Sequence, residues 1–173
     1  TPFQARVIRE GKTYDEPTWK TWTAEGAAPA VPGAAEFLAY AKSRGVTPFY
    51  ITNRDEDERA GTRANLERLG YPVSDETLLL RTNNSDKSPR RAHVAKSYRV
   101  LLLLGDDLND FASAREKSHA ERAQIITDTR SWWGTRWFIL PNPMYGSWER
   151  AAIGSGGEPC AQVQRKIDAL RDR

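Results

Sequence analysis

Short apolar runs alternate with longer amphipathic stretches along most of the chain. The runs at 46–51, 77–80, 100–104 and 137–140 are typical of β-strands. Helical spacing of apolar residues predicts helices at 32–44, 55–69, 86–98, 117–134 and 159–172, and one more that starts at Asp107 or Asn109. Residues 1–30 show no clear period, and their prolines and glycines predict loops with one short helix.

This alternation predicts an α/β fold, with a parallel sheet and helices on both faces. We expect a single domain over residues 1–173, in which 1–30 form an aromatic loop or cap segment and 159–173 a closing helix. The segment 125–127 could also be a strand, and that alternative stays open.

The run at 100–104 is the most informative strand, because its five aliphatic residues do not alternate with polar ones. Such a run predicts a strand covered on both faces. Gly105 ends it, and Asp106, Asp107 and Asp110 follow directly. Ligands bind beyond the carboxyl ends of parallel strands, so these acids are candidates for a cation site. A helix N-cap formed by Asp107 or Asn109 explains them equally well.

Composition excludes several classes of protein. The chain has 173 residues with 26 Lys and Arg against 23 Asp and Glu, a net charge of +3 spread along its length. This distribution is too diffuse for binding a nucleic-acid polymer. A single cysteine, Cys160, excludes an internal disulfide, and no apolar run is long enough to span a membrane.

Three polar residues follow strands or begin helices: Thr52, Lys87 and Asp106. In a parallel sheet such positions lie along one edge, so we expect these side chains to converge. A hydroxyl, an ammonium and a cation-binding carboxylate suit a phosphoryl group, for which catalysis is mainly positioning and charge stabilisation.

The motifs in this order resemble the class C acid phosphatases of the haloacid dehalogenase (HAD) superfamily, which include bacterial outer-membrane lipoproteins that act as 5′-nucleotidases. The resemblance covers residues 1–153 and rests on four stretches: Tyr50-Ile51-Thr52-Asn53-Arg54, Asp86-Lys87-Ser88, Gly105-Asp106-Asp107-Leu108-Asn109-Asp110-Phe111, and Pro141-Asn142-Pro143-Met144-Tyr145-Gly146-Ser147-Trp148-Glu149. The last is the most specific, because the wider superfamily lacks it.

The resemblance implies a role for each matching residue. Thr52 and Lys87 would be catalytic, the first holding a phosphate oxygen and the second neutralising charge. Asp106 would bind Mg²⁺, and Asp110 would be a further metal-site or supporting carboxylate. The substrate would be bound by Trp19, Asn53, Arg54 and Tyr145, with Trp19 and Tyr145 stacking on its ring and Arg54 reaching the substrate or a carboxylate. Trp22 and Trp148 would support the core.

The family's first motif, Asp-x-Asp-x-Thr, is absent from the chain. Its first Asp would be the nucleophile that forms an aspartyl-phosphate, and its second the general acid and base. In this family the motif ends a central strand between 46–51 and 100–104, so we expect that strand to be missing from the sequence. It could be cleaved but still bound, lie upstream, or be replaced by another segment.

The implied function is a Mg²⁺-dependent acid phosphatase acting on nucleoside 5′-monophosphates and aryl phosphates, although residues 1–173 alone should be inactive. A binding module that lost its nucleophile and a surface interaction protein are the alternatives. The expected partner is a small phosphomonoester, and a homodimer is left open. The resemblance also implies a secreted, periplasmic or outer-membrane lipoprotein.

Overall fold

The structure is a computed structural model, and it describes residues 2–12, 14–142, 145–154, 156 and 158–169. The chain divides into two compact units, Thr1–Ser85 and Asp86–Arg173. The predicted residues Pro143 and Met144 of the last motif lie outside the described residues. No described helix is long and apolar enough to cross a membrane.

The first unit contains four α-helices and two short strands among its described residues. They are α1 (Pro2–Arg9), α2 (Glu16–Ala24), α3 (Ala34–Ser43), β1 (Tyr50–Ile51), a 3-10 turn at Glu56–Glu58, α4 (Arg59–Arg68) and β2 (Leu78–Leu79). β1 and β2 are parallel, with Tyr50 opposite Leu78. The predicted strands and helices of this stretch are confirmed, although β1 is only the last part of the predicted 46–51 run.

The expectation of loops with one short helix over residues 1–30 is wrong, because two helices form there. Phe3 and Val7, four residues apart on one face of α1, pack with Trp22 of α2 in a buried core. Pro2 and Pro17 lie at the starts of α1 and α2, where proline is tolerated, rather than breaking them.

The inward face of α4 also differs from what its apolar spacing predicts, which is Ala60, Ala64 and Leu66 or Leu69 facing inward. Ala60 and Ala64 are exposed, whereas the polar Thr62 and Asn65 are buried. The Asn65 side chain accepts a hydrogen bond from the Ala28 backbone N–H at 2.7 Å and donates one to the Ala28 carbonyl at 3.0 Å. These bonds allow a polar residue to be buried, and an apolar periodicity cannot reveal them.

The second unit contains the remaining elements. They are α5 (Ser88–Ala95), β3 (Leu103–Gly105), a 3-10 turn at Leu108–Asp110, α6 (His119–Asp128), a 3-10 turn at Arg130–Trp132, β4 (Trp137–Ile139), α7 (Ser147–Ile153) and α8 (Pro159–Ala169). β3 and β4 are parallel, with Leu103 opposite Trp137. The segment 125–127 is helical, and α7 is an addition to the predicted elements.

The prediction that 100–104 is covered on both faces is wrong for this chain. Val100, Leu101, Leu102 and Leu104 are exposed, Leu104 by 49%. Among the described residues β3 has one ladder partner, β4, so no strand lies along its other edge there. A continuous pairing of 46–51 with 100–104, which would contradict a missing central strand, does not occur in the described part of the chain.

Candidate functional site

The acidic loop of the second unit begins where β3 ends. Asp107 is the N-cap of the 3-10 turn that follows, and its Oδ1 accepts a hydrogen bond from the Asn109 N–H at 2.9 Å. Gly105 is required just before the loop, because a Cβ there would lie 2.5 Å from Asp110 Oδ2. The cap that the sequence left open is therefore Asp107, and Asp106 and Asp110 remain for other chemistry.

Asp110 connects Lys87 to this loop. Its Oδ1 accepts a hydrogen bond from Lys87 Nζ at 2.6 Å, and its Oδ2 accepts the backbone N–H groups of Asp106 at 2.9 Å and Asp107 at 3.2 Å. The Lys87 and Asp110 side chains are only 19% and 12% exposed. The structure thus joins Lys87 to Asp110, whereas the carboxylate predicted to converge with Lys87 was Asp106.

Asp106 is the half-buried carboxylate beside this pair. Its Oδ2 accepts a hydrogen bond from Asn142 Nδ2 at 2.7 Å. Burial raises the pKa of Asp106, and the negative charge of Asp110 raises it further. A carboxylate held in this way has an unfavourable charge, which a bound cation would relieve.

Arg91 is a supporting residue that the sequence argument missed. Its guanidinium donates to the Asp110 carbonyl at 2.9 Å and to Ser88 Oγ at 2.7 Å, so it holds the loop from the side of α5. Burial lowers the pKa of Arg91. Its position four residues after Lys87 could have indicated it, because residues so spaced lie on one helix face.

The segment 142–148 approaches the same loop through a second contact. Ser147 donates its backbone N–H to Asp107 Oδ2 at 2.7 Å and its hydroxyl to Asp107 Oδ1 at 2.5 Å. The predicted ring-binding residue Tyr145 lies within this segment and is 38% exposed. Trp148, predicted to support the core, is exposed instead, and its indole N–H donates to the Tyr145 carbonyl at 3.2 Å.

The first unit holds the other motif, directly after β1. The Thr52 N–H continues the ladder by donating to the Leu79 carbonyl at 3.0 Å, and its hydroxyl oxygen accepts the Arg54 N–H at 3.2 Å. The Asn53 side chain donates to the Ser85 carbonyl at 2.9 Å. These bonds orient all three residues of the Thr-Asn-Arg motif.

Arg54 and Trp19 belong to an aromatic cluster in the first unit. The Arg54 guanidinium lies 5.5 Å from the centroid of Trp19 and 5.7 Å from that of Trp22, and it donates to Thr62 Oγ1 at 2.9 Å. The Trp19 ring contacts Phe3 edge-on at 5.1 Å. The predicted core role of Trp22 is confirmed, since it is 8% exposed.

A second acidic group lies on the first unit, where Asp55, Asp57 and Glu58 bring their carboxylates within 4.8 Å of one another. Arg81 makes two hydrogen bonds to Asp55, at 2.6 and 2.7 Å, and Lys20 donates to Asp57 at 2.7 Å. These cations balance two of the three charges, while the third acid, Glu58, is buried and its Oε1 has no hydrogen-bond partner.

The structure therefore assembles the predicted site residues in two groups. Lys87, Asp106 and Asp110 are joined in the second unit, and Thr52, Asn53 and Arg54 are joined in the first. Their convergence on one phosphate, and the role of each, stay predictions.

Residues 1–148 match the model of the HAD superfamily, subfamily IIIB (acid phosphatase). Two curated proteins of Glycine max are similar: the stem 31 kDa glycoprotein, 29% identical over 139 residues, and the stem 28 kDa glycoprotein, 26% identical over 141 residues. Each alignment covers 76% of this chain but only 48% and 47% of the soybean proteins, so the chain spans about half their length.

Solved structures give a closer match. The crystal structure of the class C acid phosphatase from Bacillus anthracis with tungstate bound is similar at a TM-score of 0.94 and 35% identity. A second structure of that phosphatase gives a TM-score of 0.93 and the same identity. Both matches cover 99% of this chain and 74% of the other, and they confirm the predicted α/β fold of the HAD type.

Proposed function

Because the chain belongs to the acid phosphatases of HAD subfamily IIIB, we propose that its protein hydrolyses phosphomonoesters, in particular nucleoside 5′-monophosphates and aryl phosphates. The observation that carries this proposal is the group of Lys87, Asp106 and Asp110 at the carboxyl end of β3. The tungstate in the similar Bacillus anthracis structure supports it, since tungstate is a tetrahedral oxyanion like phosphate.

The proposed roles follow the chemistry of phosphoryl transfer. Lys87 neutralises charge on the phosphate and Thr52 holds one of its oxygens, because catalysis of this transfer depends on positioning and electrostatic stabilisation. Asp110 keeps the Lys87 ammonium and the acidic loop in one arrangement through hydrogen bonds to both. Asn53, Arg54, Trp19 and Tyr145 bind the rest of the substrate.

The residues of the second unit fit a divalent cation, which we propose to be Mg²⁺. Asp106 offers an oxygen ligand of the kind that this ion prefers, and its raised pKa reflects a charge without full compensation. Asp106 would hold the ion, and Asp110 would support Asp106 by accepting its backbone N–H. When bound, the cation would neutralise developing negative charge on the phosphate.

We further propose that an aspartate outside residues 1–173 is the nucleophile and forms an aspartyl-phosphate. The Asp-x-Asp-x-Thr motif is absent from these residues. The edge of β3 opposite β4 has no strand beside it among the described residues, which supports a further strand there in the whole protein. That strand would bring its aspartates beside the acidic loop, because the loop follows β3 directly.

The direct test is hydrolysis of p-nitrophenyl phosphate by the whole protein, with and without Mg²⁺, compared with its Asp106→Asn variant. We expect Mg²⁺-dependent activity that falls about 100-fold or more in the variant, as for the loss of a central electrostatic contact. Asp128→Asn, an exposed acid that accepts a bond from Gln124, is the control and should keep full activity. Full activity of Asp106→Asn would reject the metal role.

The runner-up is a phosphate-binding module without turnover, which would apply if the whole protein lacks the Asp-x-Asp-x-Thr motif that residues 1–173 do not contain. It predicts binding of nucleoside monophosphates with no hydrolysis by the whole protein.

By resemblance alone we also propose an exported protein, secreted, periplasmic or anchored by lipid to the outer membrane. Fractionation of the source cells tests that location.

A further inference from the structure

The segment that carries Tyr145 is attached to the acidic loop at both of its ends. At one end Asn142 donates to Asp106 Oδ2 at 2.7 Å, and at the other Ser147 makes two hydrogen bonds to the Asp107 carboxylate. The two anchoring acids are consecutive in the chain. Because Asp106 and Asp107 are joined by a peptide bond, the position of Tyr145 depends on that of Asp106, the proposed metal ligand.

Both carboxylate oxygens of Asp107 are engaged, in one bond that caps its own 3-10 turn and two bonds that hold Ser147. One oxygen accepts the Asn109 N–H at 2.9 Å and the Ser147 hydroxyl at 2.5 Å, while the other accepts the Ser147 N–H at 2.7 Å. Gly146 allows the close approach, because a Cβ there would lie 2.6 Å from Asp107 Oδ2. Hydrogen bonds to a charged acceptor are among the stronger ones, so this is a firm contact.

Tyr145 lies between the two anchors, with its backbone held inside the segment. Its N–H donates to Asn142 Oδ1 at 3.4 Å, and its carbonyl accepts the Trp148 indole N–H at 3.2 Å. Its ring nevertheless remains 38% exposed. An aromatic side chain on a tethered backbone with an exposed ring is suited to stack on a flat ligand group.

We propose that Asp107 is a positioning residue that sets Tyr145 at a fixed distance from Asp106 and so determines selectivity for phosphomonoesters with an aromatic group. The inference rests on the proposed function, in which Asp106 marks the phosphate end of the substrate and Tyr145 the ring end. Asp107 itself touches neither end; it acts through the Ser147 anchor.

The test distinguishes recognition of the substrate's aromatic ring from recognition of its phosphate. Asp107→Ala and Ser147→Ala are made in the whole protein, and KM and kcat are measured for p-nitrophenyl phosphate and for glycerol 2-phosphate, which has no ring. We expect KM for the aryl ester to rise about tenfold in Asp107→Ala, equivalent to losing one stacking contact, and KM for glycerol 2-phosphate to stay within about twofold. Ser147→Ala, which keeps the backbone bond, should show a smaller change of the same kind.

The Tyr145→Ala variant tests whether Asp107 acts on the substrate through the Tyr145 ring. If Asp107 acts through Tyr145, the double variant Asp107→Ala/Tyr145→Ala should be no worse on the aryl ester than Tyr145→Ala alone. Additive losses, or equal losses on both esters, would overturn the inference and leave Asp107 as a structural cap. If Asp107→Ala does not fold, Ser147→Ala carries the same comparison, and an unchanged ester ratio there overturns it too.

Measurements of ligand binding can test this inference separately from the proposed function. Calorimetry with adenosine 5′-monophosphate and with inorganic phosphate requires no turnover. Weaker nucleotide binding with unchanged phosphate binding in Asp107→Ala would support the positioning role even if the wild-type protein hydrolyses neither ester. Equal weakening of both would overturn the positioning role whether or not the protein is active.

Discussion

At the scale of single residues, the acidic loop shows how neighbouring carboxylates are given different tasks. Asp107 accepts hydrogen bonds from Asn109 and Ser147, Asp110 accepts them from Lys87 and the loop backbone, and Asp106 receives the Asn142 amide. The first two are largely satisfied by the protein. Asp106 accepts one side-chain hydrogen bond, from Asn142, and burial and the charge of Asp110 raise its pKa.

Asp110→Asn should destabilise the second unit. The substitution removes the negative charge and leaves Lys87, 19% exposed, without its 2.6 Å partner. Breaking a largely buried pair on one side costs roughly 3–5 kcal/mol, and we expect the lower end because some solvent reaches both groups. Urea unfolding measures the change. Asp128→Asn is the matched control on the surface, and a loss no larger than the control's would contradict the prediction.

The Lys87 and Asp106 positions could be read from the sequence, because both follow strand-and-helix boundaries that the apolar pattern defines. The hydrogen-bond partners of the supporting residues could not, although the spacing of Arg91 from Lys87 and the last motif indicate the residues themselves. Arg91, Asn142 and Ser147 join the site through hydrogen bonds across up to 40 residues. No local pattern encodes such bonds, since they depend on where separate elements are placed.

At the scale of elements, α2 and α4 approach each other closely in the first unit. Gly61 on α4 faces the backbone of α2, where a Cβ would lie 2.6 Å from the Thr23 carbonyl oxygen. The two helices pack here without an intervening side chain. The closeness explains a glycine in the middle of a helix, where glycine is otherwise unfavourable by about 1 kcal/mol.

Gly61→Ala should therefore destabilise the first unit, although alanine is the better helix former. The added methyl group would force the helices apart, and overpacking of this kind costs roughly 1–3 kcal/mol. Thermal or urea unfolding gives the free energy. Ala64→Ser, on the exposed face of the same helix, is the control and should change stability by less than about 0.5 kcal/mol. A more stable Gly61→Ala protein would show that the contact is loose.

Helix α6 begins with a capping box that should give the protein a defined response to acid. Ser118 Oγ accepts the Glu121 N–H, and Glu121 in turn accepts the Ser118 N–H at 2.9 Å. The Lys117 ammonium, followed by the Ser118 bonds, lowers the pKa of Glu121 from its ordinary value of 4.5 to about 2. A lowered pKa means that ionised Glu121 stabilises the folded state above about pH 4.5.

This contribution should disappear as the pH falls from about 4.5 to about 2. The measurement is urea unfolding of the wild type and Glu121→Gln over this range. The variant should be less stable near neutral pH, and the two curves should meet toward pH 2. Salt should reduce the difference, because the Lys117 pair is exposed. A difference that stays constant with pH would reject the assignment.

At the scale of the whole molecule, each unit has one parallel pair of strands among its described residues. The apolar side chains of Val100, Leu101, Leu102 and Leu104, in and before β3, are exposed. The Leu103 N–H points toward β4, where it donates to the Arg136 carbonyl at 2.8 Å. Because successive residues in a strand alternate in direction, the N–H of Leu104 faces the opposite edge. That edge is where the proposed nucleophile strand would pair.

Hydrogen exchange can test this pairing. In the whole protein, the amides of Leu102 and Leu104 should exchange slowly, because a paired and covered strand opens rarely. In residues 1–173 alone they should exchange at least about tenfold faster, while the Leu103 amide, bonded to β4, changes less. Equal exchange in both proteins would mean that no strand covers this edge.

The sequence by itself determined the alternation of strands and helices, the acids after β3 and the family motifs, because these depend on local periodicity and on residue order. It failed where burial rests on partners: Thr62 and Asn65 inside α4, and exposed leucines in a run that pattern alone would bury. The tertiary structure decided which acid caps, which one supports Lys87 and which one anchors the Tyr145 segment. Those assignments depend on distances between elements far apart in the chain, and such distances exist only after the chain has packed.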